Sequence, residues 1–333
     1  MRVSVAICTY NGAAYLAEQL ISILSQDPPP FEVVLGDDAS SDDSVAVAEW
    51  LFAEHRAAGH ATEFVIRRHD PGLGVSGNFA DALSHTRGDL VALSDQDDIW
   101  HPGKLAALVA AFEADPSLLL VHTDARMVDG TGEPTGLTLL EALEITPGER
   151  AGLEGGDAFA ALLHRNLVTG ATMMVRRELI DTAAPFPEEW VHDEWLAALA
   201  SATGSLRLMP EPLIDYRQHG RNQIGAHRPT MSDRMKRLQV AREPRATRLV
   251  DRGSALVAKL ESLGDAVSPE ALDAARARLA FDERRRALPR VRVGRLPRIT
   301  AGALRGDYSR YARGSMDVLR DITHPAPRPG HEA

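Results

Sequence analysis

Apolar runs and amphipathic stretches alternate through the first half of the chain. The run Val3 to Cys8 predicts a buried strand, and Tyr15, Leu16, Leu20, Ile23 and Leu24 recur at helical spacing over Ala13 to Leu24. Pro28-Pro29-Pro30 ends this unit. Phe31 to Leu35 predicts a second strand and Ser44 to His55 a helix, with the turn-forming Gly36-Asp37-Asp38-Ala39-Ser40-Ser41-Asp42 between them. A short strand at Phe64 to Arg67, a flexible loop from Gly72 to Asn78, a helix from about Phe79 to Thr86 and a strand at Leu90 to Leu93 follow. Lys104 to Ala114 predicts a further helix, Leu118 to His122 a strand and Ala125 to Val128 an edge element. Alternation at this spacing predicts an α/β fold with a doubly wound, mostly parallel sheet, whose ligands bind beyond the carboxyl ends of the strands.

The pattern then loosens. Gly130 to Gly156, rich in Gly, Pro, Thr and Glu, predicts little regular structure. Asp157 to His164 and Glu194 to Thr203 read as helices, and Gly170 to Val175, Leu206 to Met209 and Leu213 to Tyr216 as short strands. From Met231 onward the pattern is an Arg/Ala/Leu helix interrupted at Pro244, Pro269, Pro289 and Pro297. The expected organisation is one domain over 1–230 and a basic, mainly helical region over 231–333.

Charge sharpens this division. Residues 1–230 hold 15 Lys/Arg against 34 Asp/Glu, a balance of −19, whereas residues 231–333 hold 22 against 13, a balance of +9. The single cysteine, Cys8, excludes an internal disulfide and reads as a buried structural thiol in a reducing compartment. The apolar start is too short for a secretory leader, and nothing approaches 18 uninterrupted apolar residues, so the expected location is the cytoplasm.

Candidate chemistry centres on Ser94-Asp95-Gln96-Asp97-Asp98-Ile99-Trp100, an acidic cluster at the end of the strand Leu90 to Leu93. Continued strand geometry would point Asp95 and Asp97 the same way and Asp98 elsewhere, so that the first two share a divalent cation. Read blandly, the cluster is a solvated acidic turn. Two further acidic pairs accompany it, at Asp37-Asp38 and within His192-Asp193-Glu194.

Six segments together resemble the inverting nucleotide-sugar glycosyltransferases of family 2, with the GT-A fold, and in particular the bacterial rhamnosyltransferase-like subgroup. They are Ala6 to Gly12, Asp37 to Asp42, Leu93 to Pro102, Asn166 to Thr172, His192 to Trp195 and Tyr216 to Gly220. The resemblance covers roughly residues 1–225. It implies that Thr9, Tyr10 and Asn11 line the nucleotide pocket and that Asp38 accepts a hydrogen bond from the base imide, although either member of Asp37-Asp38 also suits a helix cap. It implies that Asp97 binds Mg²⁺ or Mn²⁺ directly, that Asp95 reaches the ribose or the metal's waters, and that His219 joins the metal shell. Asp193 becomes the general base, with His192, where the family more often has Glu, as the alternative proton acceptor. Asp193 equally suits a cap for the helix near Glu194. Gly170 and Ala171 resemble the small-residue loop under donor sugar and acceptor, while Trp100 and Trp195 suit sugar stacking and core packing alike.

The expected activity is metal-dependent transfer of a sugar, with inversion, from a UDP- or dTDP-sugar, dTDP-rhamnose favoured, to a glycan or polyprenyl-linked acceptor in cell-surface polysaccharide synthesis. A sugar nucleotidyltransferase is the first rival, although Thr9-Tyr10-Asn11-Gly12 lacks the cations of that class's opening loop. A catalytically silent nucleotide-sugar-binding protein is the second. In 231–333, Arg284-Arg285-Arg286, Arg290, Arg292, Arg295 and Arg298 crowd beside Leu288, Val291, Val293, Leu296 and Ile299. This predicts peripheral contact with the inner face of the plasma membrane rather than with nucleic acid, since interleaved aromatics are lacking. A packing or homo-oligomer role is the plainer alternative.

Overall fold

The computed structural model describes residues 1–155, 158–220 and 242–323. It divides into two compact units, Met1–Ala158 with Leu167–His227, and Phe159–Asn166 with Arg228–Ala333. The boundary expected at 230 lies outside the described residues. The helical segment Phe159–Asn166 groups with the C-terminal unit although it is remote from it in sequence.

The first unit is an α/β sheet. Its parallel half comprises β1 (Val3–Thr9), β2 (Glu32–Asp37), β3 (Glu63–Arg68) and β4 (Leu90–Ser94), and its other half β5 (Ile99–Trp100), β6 (Leu118–Asp129), β7 (Pro134–Thr138), β8 (Met173–Arg176) and β9 (Ser205–Gln218). The order is β3-β2-β1-β4-β8-β6-β9-β5, with β7 on β6. The first four strands are parallel, as the alternation predicts. β8 runs antiparallel between β4 and β6, and β6 and β9 are parallel to one another. Val5 and Ile7 of β1 pack with Leu16, Leu20 and Ile23 of α1 (Ala13–Leu24) and with Ala48 and Phe52 of α2 (Ser44–Ala57). Each buried Val, Leu, Ile or Phe side chain among these contributes roughly 1.5–3 kcal/mol of transfer free energy.

Several expectations are corrected by pairing. Leu118 to His122 and Ala125 to Val128 are one strand, and the two short strands after Leu206 are one bulged strand, because β6 and β9 pair along their whole length with register shifts near Asp124. The segment expected as a loop from Gly72 is helical from Gly74, as α3 (Gly74–Ser84). Within 130–156 lie β7 and the helices α5 (Leu139–Ala142) and α6 (Pro147–Gly155), which follow α4 (Lys104–Ala114). Three short or medium helices follow in the chain: α7 (Ala158–His164), α8 (Arg177–Ala183) and α9 (His192–Thr203).

The C-terminal unit continues with α10 (Arg242–Ser262), α11 (Pro269–Arg286), α12 (Leu296–Leu304), α13 (Asp307–Tyr311) and α14 (Ser315–Thr323). Phe281, Leu288, Ile299, Tyr308 and Tyr311 form its apolar cluster. A buried ionic group accompanies it. Arg285 Nε donates to Asp321 at 2.7 Å, Arg245 and Arg320 donate to Asp317 at 3.1 and 2.9 Å, and the Tyr308 hydroxyl donates to Asp321 at 2.8 Å. Burial alone would raise the Asp317 carboxyl, but Arg285 and Arg245 hold it well below the usual carboxylate range.

Candidate active site

Register brings the acidic residues of separate segments to one edge. Thr9 lies beside Asp37 across β1 and β2, and Ile7 lies beside Ser94 across β1 and β4, so the loops after these three strands leave the sheet at the same level. β4 ends at Ser94, and Asp95 to Asp98 form a bend before β5, so strand alternation does not govern their directions. β5 pairs antiparallel with the end of β9, setting Ile99 beside Asp215. Arg217 thereby reaches the bend. Its backbone N–H donates to Asp98 Oδ1 at 3.0 Å, its Nε donates to the Asp97 carbonyl at 2.9 Å, and its guanidinium also bonds Glu18 and lies over Tyr15.

Asp97 and His219 are brought together: Nε2 lies 2.8 Å from Asp97 Oδ2, and the imidazole stacks on Tyr15 with 4.7 Å between ring centroids. Among the described residues no group of three His, Cys, Asp or Glu side chains is assembled to hold a metal ion by itself. Of the expected trio, Asp97 and His219 are in direct contact, and Asp95 lies close enough to be raised by Asp97. Burial, with Asp97 and Asp193 close, pushes the Asp95 carboxyl up to about 7, and burial raises Asp97 against the pull of His219. Asp98 is raised well above the usual range by burial and by Asp97 and Asp95, and its Oδ2 is buried without a partner. Crowded carboxylates of this kind are the arrangement that an added cation relieves.

The first loop is held by Gln96, a residue that the sequence analysis passed over between its two aspartates. Gln96 Oε1 accepts from the Thr9 hydroxyl at 2.7 Å and from the Tyr10 N–H at 2.8 Å. A Cβ on Gly12 would lie 2.2 Å from that oxygen, so a larger residue there would displace the Gln96 amide that holds the loop. Thr9 is 2% exposed and braces the loop from inside, whereas Tyr10, 47% exposed, is free to face a ligand. Asn11 is a turn residue at φ 49°, accepting from the Ser41 N–H at 2.8 Å. Asp37 accepts from the Ser40 N–H, and Asp38 from the N–H groups of Leu73 and Gly74 at the start of α3. Neither acid caps α2, which begins after Asp43.

Asp193 lies in the first turn of α9, whose N-cap is Val191, so it is not the cap itself. Its Oδ1 accepts from the Glu194 N–H at 2.6 Å and its Oδ2 from the Gly170 N–H at 3.1 Å. A Cβ at Gly170 would lie 3.1 Å from His192 Nε2, so this approach requires the small residue that the sequence offers. Asp193 is among the causes that raise both Asp95 and Tyr216, which places the start of α9 and the end of β4 within electrostatic reach of one another. His192 is 4% exposed, stacked on Phe79 at 4.0 Å, and lowered by burial to about 3. It is neutral and enclosed, and burial makes it a weaker base than a free imidazole.

Lys104 carries a signal that residue type alone does not reveal. It is fully buried, donates from Nζ to the Ala171 carbonyl at 2.9 Å and sits 4.0 Å from the centre of the Trp100 ring. Burial draws it down to about 7, against the pull of Asp98 and Asp95. Of the two readings of Trp100 and Trp195, sugar stacking and core packing, burial selects the core. They are 2% and 1% exposed, Trp100 packs in the central core, and Trp195 Nε1 donates to the Ala183 carbonyl at 2.9 Å. Both rings are interior because β5 and α9 are covered on the sides they occupy.

Residues 4–182 match the family model described as glycosyl transferase family 2, more than half of the chain. The chain belongs to glycosyl transferase family 2. The matched segment includes Asp38, Asp95, Asp97 and Gly170 and stops short of Asp193 and His219. An uncharacterised glycosyltransferase of Nostoc sp. is 26% identical over 233 residues, 67% of this chain and 66% of that protein. The chain therefore spans just under two thirds of that relative. Staphylococcus aureus TarS residues 1–349, solved with UDP-GlcNAc, superposes with a TM-score of 0.55 at 19% identity over 85% of this chain and 72% of that one. The Pyrobaculum calidifontis mannosyltransferase PcManGT, solved with GDP-Man and Mn²⁺, gives 0.52 at 20% identity over 96% and 84%. Both share the glycosyltransferase fold seen here.

Proposed function

We propose that this family 2 glycosyltransferase transfers a sugar, with inversion and with a divalent cation, from a UDP- or dTDP-sugar to a hydroxyl of a glycan or polyprenyl-linked acceptor in cell-surface polysaccharide synthesis. The observation that carries this reading is the Asp193 carboxylate, held by the Gly170 and Glu194 amides within electrostatic reach of Asp95. Two amide donors fix the orientation of this carboxylate. The acceptor oxygen attacks the anomeric carbon while its proton passes to Asp193, the bond from that carbon to the diphosphate oxygen breaks, and the nucleoside diphosphate leaves with the electron pair. One base and no covalent nucleophile suffice.

Asp97 and His219 would hold Mg²⁺ or Mn²⁺, with Asp95 beside them. When bound, the ion supplies charge compensation for the leaving diphosphate. Tyr10, Asn11 and Asp38 form the nucleotide side of the site and Asp95 its ribose side, with Thr9 and Gln96 bracing the loop. The dTDP-rhamnose preference rests on the resemblance of the sequence to rhamnosyltransferases; the UDP-GlcNAc bound by TarS supports keeping UDP-hexoses beside it.

The test is nucleoside-diphosphate release from dTDP-rhamnose, UDP-glucose, UDP-GlcNAc and GDP-mannose, each with Mg²⁺, Mn²⁺ or chelator. Metal-dependent release from a dTDP- or UDP-sugar is expected, and NMR of the product should show an inverted anomeric centre. Release of pyrophosphate from a nucleoside triphosphate and a sugar phosphate would refute the proposal in favour of nucleotidyl transfer.

A further inference from the structure

We propose that the segment Arg290–Arg305 of the C-terminal unit docks the protein on an anionic lipid surface. From Arg284 to Gly306 the chain holds eight arginines and no acidic residue. The fold sorts them. Arg285 and Arg295 are 7% and 0% exposed, the first paired with Asp321 and Asp317, the second donating to the carbonyls of Pro289, Arg290 and Asp321. Arg284 and Arg305 share Asp307 at 3.3 and 2.9 Å. Arg290, Arg292 and Arg298 are exposed, and the first two flank Val291.

The apolar residues divide in the same way. Leu288 and Ile299 join the interior cluster, so the uniform basic–apolar stripe suggested by the sequence is not what reaches the surface. Val291, Val293 and Leu304 instead stand out at 71, 74 and 84% exposure, with Leu296 at 43%. On α12, Ile299 and Gly302 face inward, while Leu296, Thr300 and Leu304, at i, i+4 and i+8, line the outer side. The outer surface is therefore aliphatic, with guanidinium groups interleaved.

This combination selects among anionic partners. Nucleic acid would reward the arginines and leave the aliphatic side chains in water, and the segment offers no exposed aromatic ring for base stacking. A lipid interface satisfies both kinds of residue, with guanidinium groups at the phosphate level and Val and Leu in the headgroup–acyl boundary. Among the described residues no helix is long and apolar enough to cross a membrane, so the attachment is peripheral. It is independent of which sugar the first unit transfers.

The experiment is flotation of the full chain with vesicles of phosphatidylcholine alone or with about 30% phosphatidylglycerol, at about 50 and about 500 mM NaCl. Far-UV circular dichroism and thermal unfolding verify that each variant is folded. The wild type should float only with the anionic vesicles and mostly at low salt. R290A/R292A should weaken partitioning about 25-fold, at about fivefold per arginine, and L296S/L304S and V291S/V293S should each weaken it at both salts. Failure of the wild type to float, equal flotation with neutral vesicles, or folded variants that all float like wild type would overturn the proposal. So would a wild-type dimer in sedimentation velocity that L296S/L304S converts to monomer without loss of flotation, which would assign the surface to a second copy.

Discussion

Replacing Asp193 by Asn separates the chemistry assigned to that residue from its part in the fold. Its two oxygens accept from Gly170 at 3.1 Å and Glu194 at 2.6 Å, and an asparagine retains one carbonyl oxygen for one of these donors while turning an NH₂ toward the other. One hydrogen bond to a charged acceptor is lost, at about 1.5–3 kcal/mol. For a unit of this size that corresponds to a fall of about 3–12 °C in Tm. The amide cannot take the acceptor's proton, so turnover should drop ~10²–10⁴-fold, or about 3–5 kcal/mol in the barrier. Donor affinity should stay within a few-fold of wild type, because Asp193 faces the acceptor side of the proposed reaction. The assay pairs calorimetric titration of the donor with initial rates at saturating donor and a thermal unfolding scan of the same variant. Loss of donor binding in step with turnover, or wild-type turnover in D193N, would refute the assignment and leave His192, stacked on Phe79, as the candidate base.

D97A should abolish metal-dependent donor binding, with H219A weakening it less; wild-type activity of D97A at ordinary Mg²⁺ or Mn²⁺ would remove the metal assignment. Asp95, raised from 3.8 to about 7, binds its proton more tightly in the folded state than in the unfolded one, so the metal-free protein should lose stability as pH rises from about 4 through 7. Thermal scans in chelator across that range should show this slope, and D95N should flatten it. R285L leaves Asp317 and Asp321 buried without their principal cation, so denaturant titration should show the C-terminal unit destabilised by about 3–5 kcal/mol, against little change for R298A on the surface.

Much of the molecule was legible in one dimension. Strands β1 to β4 and helices α1, α2 and α4 appear as local periodicity, because a buried strand or a one-sided helix imposes its own spacing on the apolar residues. The acidic bend at Asp95 to Asp98 and the small Gly170-Ala171 loop were visible as unusual residue types in order. Local pattern did not reveal which long-range partner each segment would meet. The pairing of β5 with β9 delivers Arg217 to Asp97 and Asp98 across more than a hundred residues, and Gln96 acquires its purpose only once Thr9 and Tyr10 lie beside it. The same holds for exposure. Lys104, Trp100, Trp195, Arg285 and Arg295 are residue types that suit a surface or a ligand site as readily as an interior, and tertiary packing put all five inside. Residue type and spacing determine which elements form, since those depend on neighbours within a turn or two; burial, charge state and the company a side chain keeps are set by contacts between elements, which spacing along the chain does not encode.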